Sequence, residues 1–149
     1  SVGVMSFEQL SAHIPAGDNL IEYFGSGDQW RAFVVTNGKV TAVELNTTGL
    51  DDLVNNFRRQ LLNPSSDSYR ASAQALYGLL IKPVEHLLAG DSLTVVAHGA
   101  LHYLPFNALH DGDDFLIDKY SLRLLPSASV LAYLNKHDNS TAALQLPPT

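Results

Sequence analysis

The 149-residue sequence contains no cysteine. Disulfides, thiolate metal sites and a cysteine nucleophile are therefore excluded within these residues, because each of them needs a thiol group. No apolar run approaches the roughly eighteen residues of a membrane-spanning helix, and residues 1–10 lack the basic segment and apolar stretch of a secretory signal. The sequence thus predicts a cytoplasmic protein without a membrane partner.

Basic residues are also scarce, since nine Lys and Arg stand against fifteen Asp and Glu, which gives a net charge of -6. The only adjacent basic pair is Arg58-Arg59. Nucleic acid is not an expected partner of so acidic a chain, because clustered cations are needed to bind phosphate backbones. The hydrophobic share of 46% against a charged share of 16% indicates a folded domain with a buried core rather than a disordered chain.

The first third of the chain predicts a short helix and three strands. A capping-box pattern from Ser6 to Gln9 favours a helix start. Three runs rich in β-branched and aromatic residues then predict strands: 20–24, 29–36 and 39–45. Asn37-Gly38 separates the last two runs and favours the positive φ angles of a type I′ hairpin turn. We therefore expect residues 1–47 to form a short helix and an antiparallel β-meander.

Residues 48–90 predict a helical segment, because apolar residues recur there at helical spacing. The two apolar stripes are Leu50, Leu53, Val54, Phe57 and Leu61, and then Tyr69, Ala73, Leu76, Tyr77 and Leu80. Pro83 interrupts the second stripe, since proline lacks a backbone N–H and obstructs the preceding turn. We expect the helix to kink or restart at Pro83 before it ends at Gly90, which gives two helical pieces.

The remaining chain predicts an α/β arrangement in a single incomplete domain. The apolar run 93–97 favours a central strand that is covered on both faces. Residues 115–125 favour a further strand or strand pair, Ser127 caps a final helix within 91–137, and residues 138–149 form a flexible tail. The predicted core is Phe33, Val35, Leu53, Phe57, Leu76, Leu80, Val95, Leu104, Phe106, Leu116 and Leu131.

Gly90-Asp91-Ser92-Leu93 spells the motif of the GDSL-type serine hydrolases. Those enzymes place the serine after a strand, whereas here a predicted helix precedes Ser92 and a strand follows it. No Asp is followed three residues later by a His, as the base of that family would require. We interpret the motif as a helix-to-strand loop. Composition alone leaves a Ser-His-Asp arrangement open, although neither a nucleophile elbow nor a phosphate-binding loop is present.

His98 and His102 have the spacing of two metal ligands on one helical face. Gly99 and Pro105 argue against such a helix, because both residues disfavour helical backbone. The acidic run 111–114 contains a glycine and favours an exposed turn. No metal site and no cofactor are therefore expected.

Four blocks of the sequence carry a family resemblance. They are Glu22-Tyr23-Phe24 with the hairpin; Leu76-Tyr77, Leu80-Ile81 and Pro83; Val95-Val96, Gly99, Leu101, Leu104-Pro105-Phe106 and Leu109; and Phe115-Leu116-Ile117, Tyr120, Pro126-Ser127 and Val130-Leu131. In these blocks, and in their order, the sequence resembles the CHAT domain family. These proteins are caspase- and separase-like cysteine peptidases that are commonly attached to tetratricopeptide repeats.

The resemblance implies the N-terminal part of a caspase-like α/β sandwich, in which a β-meander and two helices precede the first core strand. Members of the family catalyse with a His followed by Gly at the end of a later strand, and with a Cys on the strand after that. His98-Gly99 mimics the His-Gly pair, but Leu104-Pro105-Phe106 after it matches the earlier block of the family. The resemblance therefore places neither catalytic block in this sequence, and no catalytic residue is expected in this chain. We expect the scaffold portion of a cysteine endopeptidase that is inactive alone; the alternative is a non-catalytic protein-interaction module.

His98 is the one residue that the resemblance places near a substrate. It stands where the family commonly has Asp, in the loop after the first core strand, and there it would face the cleavage-site residue of the substrate. A largely neutral imidazole would move specificity away from Lys and Arg. The alternative is a loop histidine that is bonded to backbone. The structural residues of the loop are Gly99, Leu101, Leu104, Pro105, Phe106 and Leu109.

The expected partners follow from the same resemblance. They are a protein substrate or partner and the C-terminal half of the same domain. Because an uncovered sheet edge exposes unpaired backbone groups, self-association of the isolated chain is a further expectation.

Overall fold

The computed structural model describes residues 14–126. Within this range five strands form one sheet: β1 Asp18–Ser26, β2 Gln29–Thr36, β3 Lys39–Asn46, β4 Ser92–Ala97 and β5 Ser121–Pro126. The helices of the same range are α1 Leu50–Leu61, α2 Ser68–Leu80 and α3 Leu116–Lys119, and the 3₁₀ helices are Glu85–Leu87, Gly99–Tyr103 and Phe106–Ala108. The predicted α/β class is confirmed. The predicted helix after Ser6, the helix after Ser127 and the tail lie outside the described residues.

The sheet has the strand order β3-β2-β1-β4-β5. The first three strands pair antiparallel, as the meander prediction requires, whereas β4 is parallel to both β1 and β5. The meander therefore supplies three of the five described strands of one mixed sheet. Among the described strands β1 is the middle one, with β2 on one side and β4 on the other. β4, which the sequence predicts as the central strand, lies between β1 and β5.

The β2–β3 hairpin turns at Asn37-Gly38, where φ is 49° and 76°. Both values are in the left-handed region that Asn and Gly tolerate better than other residues. Thr36 pairs with Lys39 on either side of this two-residue turn. The predicted hairpin is confirmed.

One face of the sheet packs against α1 and α2. Ile21 and Tyr23 of β1 point into this core, because side chains alternate between the two faces of a strand. The Tyr23 hydroxyl also donates a buried hydrogen bond of 2.7 Å to the carbonyl of Leu80, the last residue of α2. The predicted core residues that are buried are Val35, Phe57, Leu76, Leu80, Val95, Leu104, Phe106 and Leu116. Phe33 and Leu53 are half-buried, and Leu131 lies outside the described residues.

The second helical piece is shorter than the sequence predicts. α2 ends at Leu80, and after Pro83 the chain restarts only as the single 3₁₀ turn Glu85–Leu87, which ends before Gly90. Pro83 explains the interruption, since it cannot donate a backbone hydrogen bond. Two helical pieces are nevertheless present, as expected.

The prediction of a strand or strand pair over residues 115–125 is wrong at its start. Residues Leu116–Lys119 form the single turn of α3, and β5 begins only at Ser121. The Asp118 carboxylate accepts the backbone N–H of Phe115, and the Leu116 N–H donates to the Leu109 carbonyl at 2.8 Å. The buried Leu116 side chain thus anchors a turn rather than a strand, because a short apolar run fits either structure.

Asn19 of β1 is hydrogen-bonded to the segment that leads into β4. Its side-chain Nδ2 donates to the carbonyls of Ala89 and Ser92 at 2.5 and 2.8 Å, and its Oδ1 accepts the N–H of Ala89 at 2.9 Å. Asn19 is 1% exposed and lies 70 residues from Ala89 in the sequence. One buried amide of β1 therefore satisfies the backbone of the loop that leads into β4.

Candidate functional site

The carboxyl ends of β1 and β4 meet at one edge of the sheet, because the two strands are parallel. Tyr23 pairs with Ala97, so Phe24 and His98 continue the two strands side by side. Open α/β sheets bind their ligands outside the carboxyl ends of the strands. The sheet thus places His98 at the edge where a ligand crevice is expected.

His98 lies against a buried carboxylate. Its Nε2 is 2.8 Å from the Glu22 Oε2, and the side chains of the two residues are 27% and 11% exposed. Glu22 alternates with Ile21 and Tyr23 along β1, so the pair lies on the face opposite α1 and α2. The bond of His98 Nε2 therefore goes to a carboxylate, not to the backbone group that a plain loop histidine would use.

An aromatic contact fixes the imidazole from a second side. The rings of Phe24 and His98 are stacked with centroids 4.2 Å apart and planes at 29°. Phe33 meets Phe24 edge-on at 5.4 Å. These contacts hold the His98 ring in one orientation while leaving part of it accessible.

Burial raises the pKa of the Glu22 carboxyl, and the hydrogen bond and charge of His98 lower it by less. Desolvation disfavours the charged form of a carboxyl group, whereas a nearby cation favours it. The Glu22 carboxyl therefore keeps its proton to a higher pH than an exposed glutamate does. Sequence reasoning did not identify Glu22 as a site residue; the available signal was a single acidic residue in the otherwise apolar run 20–24.

The loop after His98 is anchored by its apolar side chains. Gly99 has a φ of 53° and begins the 3₁₀ helix Gly99–Tyr103. The residues of the loop that are buried are Leu101, Leu104, Phe106 and Leu109, while Pro105 is half-buried. The ring of Phe106 stacks on Tyr23 at 5.5 Å. The loop motif thus fixes the position of His98 relative to β1.

The other sequence-level candidates are placed apart from this pair. Ser92 is the first residue of β4 and so stands at the end of the strand opposite His98. Asp111 Oδ1 accepts the backbone N–H groups of Asp113 and Asp114, as an exposed turn requires. Across residues 14–126 no group of three or more His, Asp or Glu side chains is arranged to hold a metal ion.

A polar cluster of four residues lies elsewhere, around the Lys119 ammonium. The ammonium donates to the Tyr77 hydroxyl and the Asp111 carboxylate at 2.8 Å each, and to Glu85 at 3.3 Å. Tyr77 also donates to Glu85. Burial, followed by the bond to Glu85, raises the pKa of Tyr77 to about 12. Because these groups satisfy one another, the cluster joins α2 to the loop before α3.

The CHAT domain family model matches residues 70–147, which is just over half of the chain. The chain belongs to the CHAT domain family. This membership agrees with the resemblance to caspase-like cysteine peptidases seen in the sequence. No curated protein matches the chain. No helix in the described part of this CHAT protein is long and apolar enough to cross a membrane.

The matched range of the CHAT domain begins inside α2 and includes β4 and β5. β1 precedes that range but pairs with β4 along the whole length of β4. His98 therefore lies inside the matched range, and its partner Glu22 lies before it. The candidate site of this CHAT protein depends on both parts.

Replacing Glu22 with glutamine should change how stability depends on pH. The folded pKa of Glu22 is raised above its ordinary value of 4.5, so the folded protein holds this proton more tightly than the unfolded chain does. The stability that protonated Glu22 contributes is complete below pH 4.5 and is lost as the pH rises through the folded pKa. Glutamine does not titrate, so E22Q should gain stability relative to the wild type over that rise. Urea unfolding of both proteins from pH 4 upward checks this; parallel pH profiles would contradict it.

Proposed function

We propose that this chain is the N-terminal scaffold portion of a caspase-like cysteine endopeptidase, and that it is inactive alone. The CHAT family match supports the peptidase class. The absence of cysteine from the 149 residues supports inactivity, because this chemistry needs a thiolate that an imidazole can generate. The catalytic His and Cys would be supplied by sequence outside these residues, and the substrate would be a protein.

The observation that carries the proposal is the position of His98 within the matched range, at the shared carboxyl edge of β1 and β4. From there the imidazole can face the cleavage-site residue of a substrate. It can offer a hydrogen bond, and in its neutral form it offers no charge to attract Lys or Arg. In this role His98 forms a wall of the substrate cleft, and Glu22 and Phe24 position its ring.

The lack of cysteine also favours a second candidate, a non-catalytic interaction module. In that case the domain only docks onto a partner protein. The two candidates differ in what the longer polypeptide contains. A strand that ends in His-Gly, followed by a strand that carries a Cys, would favour the peptidase. Their absence from the longer polypeptide would favour the interaction module.

The test compares the 149-residue chain with the longer polypeptide on fluorogenic peptides that carry basic, acidic or apolar cleavage residues. We expect no turnover by the short chain and hydrolysis by the longer one. In the longer protein, H98Q should change the relative rates at which the three peptide classes are hydrolysed. The control H86Q alters an exposed histidine in the turn after α2 and should leave these relative rates unchanged. Glutamine suits this test better than aspartate, because an aspartate would place a second carboxylate beside Glu22.

Turnover by the short chain that disappears in S92A would contradict the proposal and restore a serine hydrolase. An unchanged preference in a stable H98Q protein would remove His98 from the cleft. A longer polypeptide without any hydrolysis would favour the interaction module.

A further inference from the structure

A surface groove of about 540 Å³ lies between the second half of α1 and the loop that follows His98. Leu62 and Tyr103 both line it, and they are 85% and 63% exposed, the highest values of any large apolar side chain in residues 14–126. Exposed apolar side chains that share one concave surface are typical of interaction sites. Because Arg58 and Arg59 also line it, we call this feature the basic groove.

Two arginine cations line the same groove. Arg58 and Arg59 are the only adjacent basic pair in a chain with a net charge of -6. The Arg58 guanidinium lies 5.3 Å above the Tyr103 ring, and Arg59 donates to the Asn56 side chain. Neither arginine forms an ion pair with a carboxylate of the described chain, although Arg31, Lys82 and Lys119 do.

The helix dipole accounts for only part of this arrangement. Cations in the last turn of α1 are favoured by the partial negative charge at its carboxyl end. That effect does not require Leu62 and Tyr103 to remain exposed beside the cations. Apolar and cationic groups that line one groove instead match a ligand that offers both an apolar side chain and carboxylates.

We propose that the basic groove binds an acidic segment of a partner protein, in which a bulky apolar residue is flanked by Asp or Glu. The apolar residue would lie against Leu62 and Tyr103, and the carboxylates would pair with Arg58 and Arg59, whose planar groups suit bidentate binding. Charge complementarity favours this occupant. The net charge of -6 repels an acidic segment from most of the chain, whereas the adjacent cations Arg58 and Arg59 attract it to the groove. The groove volume of about 540 Å³ is large enough to hold a few side chains. The proposal does not depend on peptidase activity.

The test is fluorescence polarisation with a labelled peptide that has two central leucines flanked by glutamates. We expect binding in the micromolar range that weakens as salt is added. R58E/R59E should weaken it by about tenfold or more, because attraction becomes repulsion, and Y103A should weaken it through the lost apolar contact. R58Q/R59Q serves as a second variant, which removes the charge without reversing it.

The matched control is K39E/R70E, which makes the same change in net charge at two exposed residues outside the groove. It should leave the affinity within about twofold of the wild type, since long-range charge effects are screened by salt. Equal losses in the two double variants would show attraction by net charge and would overturn the proposal. The absence of binding by the wild type, equal binding of a peptide with lysines in place of glutamates, or equal competition by duplex DNA would overturn it as well.

Discussion

Replacing Asn19 with alanine should lower the free energy of unfolding by about 3 kcal/mol. The change removes three hydrogen bonds to the backbone of Ala89 and Ser92. Each bond contributes about 1 kcal/mol net, and backbone groups left unpaired cost more when they are shielded from water. Because Ala89 is half-buried, water replaces its lost partners only in part. The measurement is urea denaturation followed by circular dichroism.

Asn55 provides the matched control, since it is exposed on α1 and not part of this hydrogen-bonded loop. N55A should change stability by no more than about 0.5 kcal/mol. N19D keeps the acceptor for the Ala89 N–H but loses both donors and brings a charge next to two carbonyl oxygens. It should therefore be at least as unstable as N19A. A loss below about 1 kcal/mol in N19A would show that the amide is not the link between β1 and the loop before β4.

The second large effect is expected for Gly25 at the end of β1. A Cβ atom there would lie 2.2 Å from the carbonyl oxygen of Gln29 and 2.7 Å from the Cα of Trp30. Backbone atoms cannot move aside as a flexible side chain does, so G25A should cost at least about 3 kcal/mol. The φ of 154° adds strain for any residue with a side chain. Urea denaturation measures the loss.

Gly27 separates the steric effect from the backbone preference. It also has a positive φ, of 57°, but nothing lies within 4 Å of an added Cβ. G27A should therefore cost only about 1–2 kcal/mol. Trp30 is the single tryptophan and is 3% exposed, so its emission should shift to longer wavelength in G25A and not in G27A. Equal losses and unchanged emission in both variants would contradict the steric explanation.

Local sequence patterns predict much of the fold because their causes are local. Asn37-Gly38 favours its turn through its own φ angles, and the stripes of α1 and α2 follow from helical periodicity. The apolar run Phe115-Leu116-Ile117 is ambiguous, since three such residues fit a strand or a turn. The hydrogen bonds of the Asp118 carboxylate and the Leu116 N–H stabilise the turn.

The candidate site is harder to predict from local sequence patterns. His98 could be singled out from its place after a predicted strand, but its partner Glu22 lies 76 residues away. Their contact depends on the register between β1 and β4, which is set by tertiary pairing. The sequence contains no local sign of that register. For the same reason the amide of Asn19 could not be assigned its role.

The pairing of β1 with β4 also bears on how the chain folds. Contacts within the meander are close in sequence and can form early, whereas those between β1 and β4 close a loop of about 70 residues and must overcome its entropy. During synthesis at about 5–20 residues per second, β1 leaves the ribosome several seconds before β4. In that interval β1 exposes an unpaired edge, the type of surface that recruits other strands. Productive folding therefore requires β4 to reach β1 before an intermolecular strand does, so low concentration and chaperone binding should raise the yield.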